Sequence, residues 1–450
     1  MREALSAGVG GFILFGGTRA AVTALTNDIR TKAGRPLLLG SDLERGAGQQ
    51  VRGLTELPTP GALGFLNDLD ATARCGAITA LEARSVGINW VFAPVCDLDI
   101  EPKNPIVQTR SFGADPARVG AHAAAWISAC QKEGVLACAK HYPGHGRTTT
   151  DSHEGVPVVE GSVAELQQSD AAPFAAAVQA GVGSVMPAFV AYPAWDERGA
   201  AAVFSGPILD YLRSRIGFSG LLVTDAFIMG GATEAAPEGD AAVAALAAGC
   251  DVLLYPTDWA GVVRALRRVG QERVEEALGR YEKALGAAHP GATPRGQQSS
   301  LDESTKAEHQ RFADELADRA LHRLRGELPS LGKSVSVTIV DDDVGGPYTI
   351  PPRDVFIREL MARGITVPRY PEPGTRHIVL VYAEPRSWKG RGDLGARSLA
   401  QLGRLVPEAS LVILFAHPRL GAQIPGDVPV LCAWHGQALM QRAAARRVQV

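Results

Sequence analysis

The sequence predicts an α/β protein in two parts: a barrel of the (β/α)8, TIM-like type, one strand short by count, then a smaller doubly wound α/β domain. Three observations carry that reading. Seven short apolar runs between residues 10 and 256 alternate with helical patterns. The runs are continuous rather than alternating in hydrophobicity, as parallel strands covered on both faces by helices require. Past residue 286 the composition turns polar and rich in Gly and Pro, and four more apolar runs follow.

Taken in order, MREALSAGVGGFILFGG reads as a helix end followed by the first strand rather than as a signal peptide. The next strands are PLLLGSDLE, INWVFAPVCDLD, GVLACAKHYPGH, GSVMPAFV, GLLVTDAF and CDVLLYP, with helices at DATARCGAITALEARSVG and DAAVAALAAG among them. Residues 1–285 are assigned to the barrel. Residues 286–330 hold a linker, GAAHPGATPRGQQSS, and a connecting helix, STKAEHQRFADELADRALHRLRG. Residues 331–450 form the second domain, with strands VSVTIVDDD, RHIVLVYAEP, SLVILFAHP and VPVLCAWHG. No P-loop or strand-linked GxGxxG occurs, so no nucleotide or other cofactor is expected.

With 45 basic and 48 acidic residues the formal charge is −3, which offers no footprint for nucleic acid or an anionic membrane. A polar or neutral small molecule is the expected ligand. No apolar run is long enough to span a bilayer. Six scattered cysteines (75, 96, 130, 138, 250 and 432) read as reduced core residues, so the expected compartment is the cytoplasm.

The densest chemistry lies in KHYPGHGRTTTDSHEGVPVV, residues 140–159. His141 and His145 have the i, i+4 spacing of a helical metal site. Pro143, Gly144 and Gly146 argue for a loop there, and neither an HExxH glutamate nor a CxxC accompanies them, so no metal is expected. For any single loop histidine a structural role is the commoner one. Here, however, Lys140 and His141 end an apolar run, at the edge that carries catalysis in parallel barrels. Asp151 and His153 flank Ser152, a spacing that lets a carboxylate orient an imidazole and favour its charged form.

Asp42, Lys140, His141 and Asp225 all follow apolar runs at equivalent places, with Arg110 in the loop after the third run, so a barrel brings them to one rim. Such a pocket suits cleavage of a hydroxyl-rich substrate. Carboxylates accept from sugar hydroxyls, and lysine and arginine donate to them. A carboxylate such as Asp225 can attack an anomeric carbon, with Asp151 and His153 supplying the acid. Glu44 is either a hydroxyl acceptor or a partner of Arg45 or Arg52.

KHYPGHGRTTTDSHEGVPVV closely resembles the signature of the bacterial β-N-acetylglucosaminidases of glycoside hydrolase family 3, in which a KHFPGHG segment leads into a DSH loop. TDAFIM resembles the family's nucleophile segment, and SDLERGAG, TRSFG and VMPA resemble its other barrel motifs in order. The resemblance spans about residues 8–256, with a weaker match through LCAWHGQALMQRAAA. It implies a retaining exo-acting enzyme with Asp225 as nucleophile, His153 as acid/base and Asp151 orienting that histidine. Asp42, Arg110, Lys140 and His141 would grip the sugar. So would Arg52, although its loop GAGQQVRG differs in length from the common form, and His145 would shape its loop. The implied substrate is a small GlcNAc-containing glycoside or muropeptide, in keeping with cell-wall recycling. A β-glucosidase or a phosphorylase using phosphate are the alternatives within the family, and a non-catalytic sugar-binding protein the alternative outside it.

Two departures stand out. The family's barrel opens with a strand upstream of the GVGGFILFGG region, so this barrel is expected to close with fewer strands or to cover the gap. Phe189 stands where the family has histidine after MPA. Trp195 and Trp259 are candidates to stack on a sugar, and Met229 to pack under the nucleophile. Every catalytic candidate precedes residue 260, so the second domain is expected to be supportive.

Overall fold

A computed structural model of the chain describes residues 1–150, 155–228, 236–288, 301–346, 350–368 and 374–448. Strands β1 (Gly11–Ile13), β2 (Leu38–Ser41), β3 (Trp90–Val91), β4 (Leu136–Tyr142), β5 (Ser184–Pro187) and β6 (Leu221–Leu222) form one sheet in sequence order. All its pairings are parallel. The seventh run contributes a bridge, Val252 against Val223, rather than a full strand.

The sheet's two faces bury different partners. Leu38, Trp90, Phe92, Leu136, Cys138, Met186, Leu221, Val223 and Leu254 form one internal cluster. Their sequence neighbours Leu39, Val91, Ala137, Val185 and Leu222 join the larger cluster formed with the surrounding helices. Those helices include α1 (Arg19–Ala33), α2 (Leu69–Ser85), α3 (Pro116–Lys132), α4 (Ala172–Gln179) and α5 (Glu238–Ala248). Thr18, Asp68 and Asp115 cap the first three by accepting from amides in the opening turn.

Among the described residues no strand pairs with the free edge of β1. A helix, α6 (Gln271–Ala287), crosses the barrel's base on this side. Its Tyr281 hydroxyl donates to Gly10 O beside β1 (2.5 Å), and its Arg273 and Arg280 hold Asp251 beside the seventh run (2.8 and 2.9 Å). Tyr281, Ala284 and Leu285 also pack on the internal cluster. The helix thus ties the base of β1 to the base of the seventh run.

The second sheet has the order β7 (His322–Arg325), β11 (Val430–Cys432), β10 (Leu411–Ala416), β9 (Arg376–Ala383), β8 (Val335–Asp341). Ile378, Leu380 and Tyr382 of β9 face one cluster and Val379, Val381 and Ala383 the other, so both faces are covered. Helices α8 (Val355–Ala362) and α10 (Ala438–Arg447) pack on the first face, and α9 (Ala396–Leu405) on the second. The connecting helix is shorter than expected: α7 spans Glu303–Ala320, and HRLR then forms the antiparallel strand β7. Its period-two alternation explains the difference, because Leu324 turns to the core while Arg323 stays exposed. The linker residues 289–300 lie outside the described residues.

The second domain docks on the barrel's rim through the loops after β9, β10 and β11. Gln108 donates to Gly392 O (3.2 Å), His417 and Arg419 hold Asp99, and Gln437 bridges Arg45 (2.7 Å) and Leu57 O (2.8 Å). All six cysteines are buried and unpaired. No described helix is long and apolar enough to cross a membrane.

Candidate active site

The parallel barrel aims the residues at its strand ends to one mouth, and four charges of balanced sign meet there. Lys140 Nζ bonds Asp42 Oδ1 at 2.7 Å and Glu44 Oε1 at 2.8 Å. Arg110 grips Glu44 through two parallel bonds, Nη2 at 2.7 Å and Nε at 3.0 Å. Burial alone would raise the pKa of Glu44, but Arg110 and Lys140 override it and hold the carboxyl well below the usual range. Burial would likewise discharge Lys140, and Asp42 and Glu44 keep it an ammonium. Glu44 is therefore committed to Arg110 and Lys140, neither of the partners weighed for it. Asp42, with its side chain 32% exposed, is the carboxylate of this group that faces outward.

A second group forms around Asp97, at the end of the APVCDLD run. Its carboxylate is fully buried and accepts from the amides of His141 (3.1 Å) and His145 (2.7 Å) and from His141 Nδ1 (2.7 Å). Burial opposes ionisation, yet the histidine contacts outweigh it and hold the Asp97 pKa down. With Nδ1 committed to Asp97, His141 turns Nε2 toward Asp225 Oδ2, 3.9 Å away, too far for a direct hydrogen bond. Lys140 and His141 are consecutive yet serve the same mouth, and the β4–β5 register shifts between Lys140 and Tyr142.

Asp225 follows β6 and takes Ala226 N on Oδ1 (2.8 Å). Thr224 Oγ1 and the Phe227 amide anchor this segment to Leu254 at 3.0 Å each. Phe189 is fully buried against Phe204 and Phe227, so it packs beneath the Asp225 segment. His145 is buried with Nδ1 on Thr148 Oγ1 (2.7 Å).

Asp42, Arg110, Lys140, His141 and Asp225 are thus brought together. Arg52 is not brought into that network: its side chain is exposed, and its backbone pairs with Gly17 and Arg19. Asp151, His153 and Met229 lie outside the described residues. Trp195 packs edge-on to Tyr211, and Trp259 begins a helix, Trp259–Ala265. The sequence reading missed Asp97 as a site residue. Its signal was present, a carboxylate ending an apolar run as Asp42 and Asp225 do.

A parallel barrel whose mouth combines carboxylates with a fixed lysine, arginine and histidine suits an enzyme of the glycoside-cleaving class. Residues 2–281 match the glycosyl hydrolase family 3 N terminal domain, and the chain belongs to that family. It is 34% identical over 393 residues to a β-N-acetylglucosaminidase/β-glucosidase of Cellulomonas fimi, covering 81% of this chain and 69% of that one. It is 39% identical over 286 residues to a β-hexosaminidase of Chromobacterium violaceum, covering 60% and 79%. A solved family 3 β-N-acetylglucosaminidase from Paenibacillus sp. superposes with a TM-score of 0.88 at 25% identity, over 99% of this chain and 91% of that one.

Proposed function

We propose that this glycoside hydrolase is a retaining exo-β-N-acetylglucosaminidase. The observation that carries the proposal is the open Asp225 carboxylate facing His141, across a mouth whose other wall is the Asp42–Lys140–Glu44–Arg110 network. Asp42 and Lys140 engage hydroxyls of the terminal sugar, Arg110 braces them, and His141 Nε2 orients a group beside the reacting carbon. Asp225 attacks the anomeric carbon as the glycosidic C–O bond breaks, and His153, oriented by Asp151, protonates the departing oxygen. In the second half-reaction His153 takes a proton from the acceptor, which displaces Asp225. A neutral imidazole there does not repel an anionic acceptor, so phosphate is proposed beside water.

The names of the relatives support N-acetylglucosamine as the sugar. A second reading, turnover of β-glucosides, is favoured because the Cellulomonas fimi relative is named for both activities. The buried, unpaired thiols support a cytoplasmic enzyme, and fragments of the cell wall are the proposed natural substrates. The test compares aryl β-N-acetylglucosaminide with aryl β-glucoside, each with and without phosphate. Preference for the first supports the assignment. Exclusive turnover of the glucoside overturns it, and free sugar alone at high phosphate removes the phosphorolytic step.

A further inference from the structure

Two aromatic side chains at the barrel's mouth are exposed where a packing role would bury them. Phe15 is 54% exposed and Tyr255 42%, and their rings meet at 5.5 Å and 51°. Both have defined places relative to the site. Ile13 pairs with Gly40, so Phe15, two residues on, stands level with Asp42. Ile13 packs on the internal cluster and Leu14 on the outer one, so the same alternation, continued past the end of β1, sets Phe15 on the lumen side. Tyr255 ends the seventh run, next to Leu254, whose carbonyl accepts the Phe227 amide of the Asp225 segment. The pair therefore spans the seam between β1 and the seventh run, with Asp42 on one flank and Asp225 on the other.

Sealing the seam is not enough to explain the pair. Leu254 and Tyr281 already close the layer beneath it. Tyr255 also holds φ +54, a left-handed conformation that costs a non-glycine residue about 1–2 kcal/mol. Strain spent on holding an aromatic ring half in water, beside reactive carboxylates, points to a ligand rather than to the core.

We propose that Phe15 and Tyr255 form the subsite for the aglycone, and that its occupant is a hexopyranose ring stacked by its CH face on these side chains. The inference rests on the exo-glycosidase reading: an exo-acting pocket buries the terminal sugar and leaves the next ring at the mouth. Carbohydrate rings present an apolar face to aromatic planes while their hydroxyls stay in water.

The test uses the full-length protein and compares N,N′-diacetylchitobiose with methyl β-N-acetylglucosaminide, which lacks a second ring. Phe15→Leu and Tyr255→Leu keep apolar volume at the seam and remove the aromatic plane. KM for the disaccharide is expected to rise about tenfold, as a lost stacking contact of ~1.4 kcal/mol implies. The methyl glycoside is expected to keep its kcat/KM within about twofold, since it never reaches the pair. Tyr255→Phe and Phe15→Tyr are expected to restore the disaccharide KM. Equal losses on both substrates, or no loss on either, overturn the subsite. If the parent enzyme cleaves glucosides only, the terminal-sugar assignment fails, and cellobiose against methyl β-glucoside reads the same ratio for the pair. A parent inert on both series overturns both readings.

Discussion

Asp225 keeps one oxygen on the Ala226 amide and leaves the other facing His141, so little in the folded protein depends on its charge. Asp225→Asn is therefore expected to fold and to bind sugar with near-parent affinity. Turnover should fall by several orders of magnitude, because a carboxamide is a poor nucleophile. Calorimetry of sugar binding beside aryl-glycoside kinetics separates the two, and near-parent turnover would remove Asp225 from the nucleophile's role. Asp97 presents the opposite case. In Asp97→Asn the new carbonyl still accepts from one or both amides, but its NH2 faces His141 Nδ1 and drives the ring proton to Nε2. A kcat lower by roughly 10²-fold is expected, the cost of a group misplaced by ~1 Å, with a loss of about 1–3 kcal/mol in stability from the weakened buried bonds. A pH profile of kcat unchanged from the parent would show that Asp97 does not act through His141. At this scale the sequence carried the type and rough place of each group, since a polar residue ending an apolar run is visible in the chain. It could not show which pairs close. The choice of Arg110 and Lys140 rather than Arg45 or Arg52 as partners of Glu44 depends on strand register, and residues 44 and 140 are distant in sequence.

The strand runs were legible because burial on both faces leaves continuous apolar stretches, and every predicted run coincides with a strand or, at Val252, with a bridge. Strand β7 was not, because four residues of alternating Arg and apolar character also continue a helical pattern. The helix that crosses the barrel's base was also hidden, since α6 reads as an ordinary amphipathic helix. What anchors that helix is Asp251, whose side chain is fully buried. It accepts from Arg213 (2.7 Å), Arg273 (2.8 Å) and Arg280 (2.9 Å), and from Leu222 N of β6 (2.9 Å). One carboxylate thus joins the last strand, the seventh run and the closing helix. Asp251→Ala leaves three part-buried guanidinium groups without it and is expected to cost about 3–5 kcal/mol, as breaking buried ion pairs does. Arg264→Ala, at an exposed 4.0 Å pair with Asp258, should cost less than about 1 kcal/mol. Urea denaturation of both variants checks the contrast, and similar midpoints would show that the seam does not depend on Asp251.

Across the whole molecule the second domain reaches residues next to the site without entering the four-charge network. Gln437 holds Arg45, adjacent to Glu44, and His417 and Arg419 hold Asp99, two residues from Asp97. The expectation that a barrel alone keeps some activity therefore meets a structural cost. A chain ending at residue 288 loses these partners and uncovers the surface under Trp434, which lies against Gly61 and Phe65. It is expected to be less soluble and, where soluble, less active than the full chain, as size-exclusion and turnover measurements would show. Next to Gln437, a buried histidine makes stability depend on pH. His435 is buried beside Glu384, and its Nδ1 accepts from the Gln437 amide (3.0 Å), which requires the unprotonated ring. Burial, with the guanidinium groups of Arg45, Arg386 and Arg353, outweighs Glu384 and pushes its pKa down to about 3. The unfolded chain takes up this proton near pH ~6.5 and the folded chain only near 3, so between those values the unfolded state binds more protons. The contribution is fully present above about pH 6.5 and is lost progressively as pH falls toward 3, amounting to a few kcal/mol at its full extent. His435→Gln removes the titrating group while keeping a polar side chain at the position. Urea midpoints at about pH 7.5, 6 and 5, above the range where carboxylates dominate, are expected to fall with acid in both proteins, because burial also lowers the pKa of His122 and His417, and to fall more steeply in the parent. Parallel slopes in the two proteins would mean that the acid sensitivity arises elsewhere than at His435.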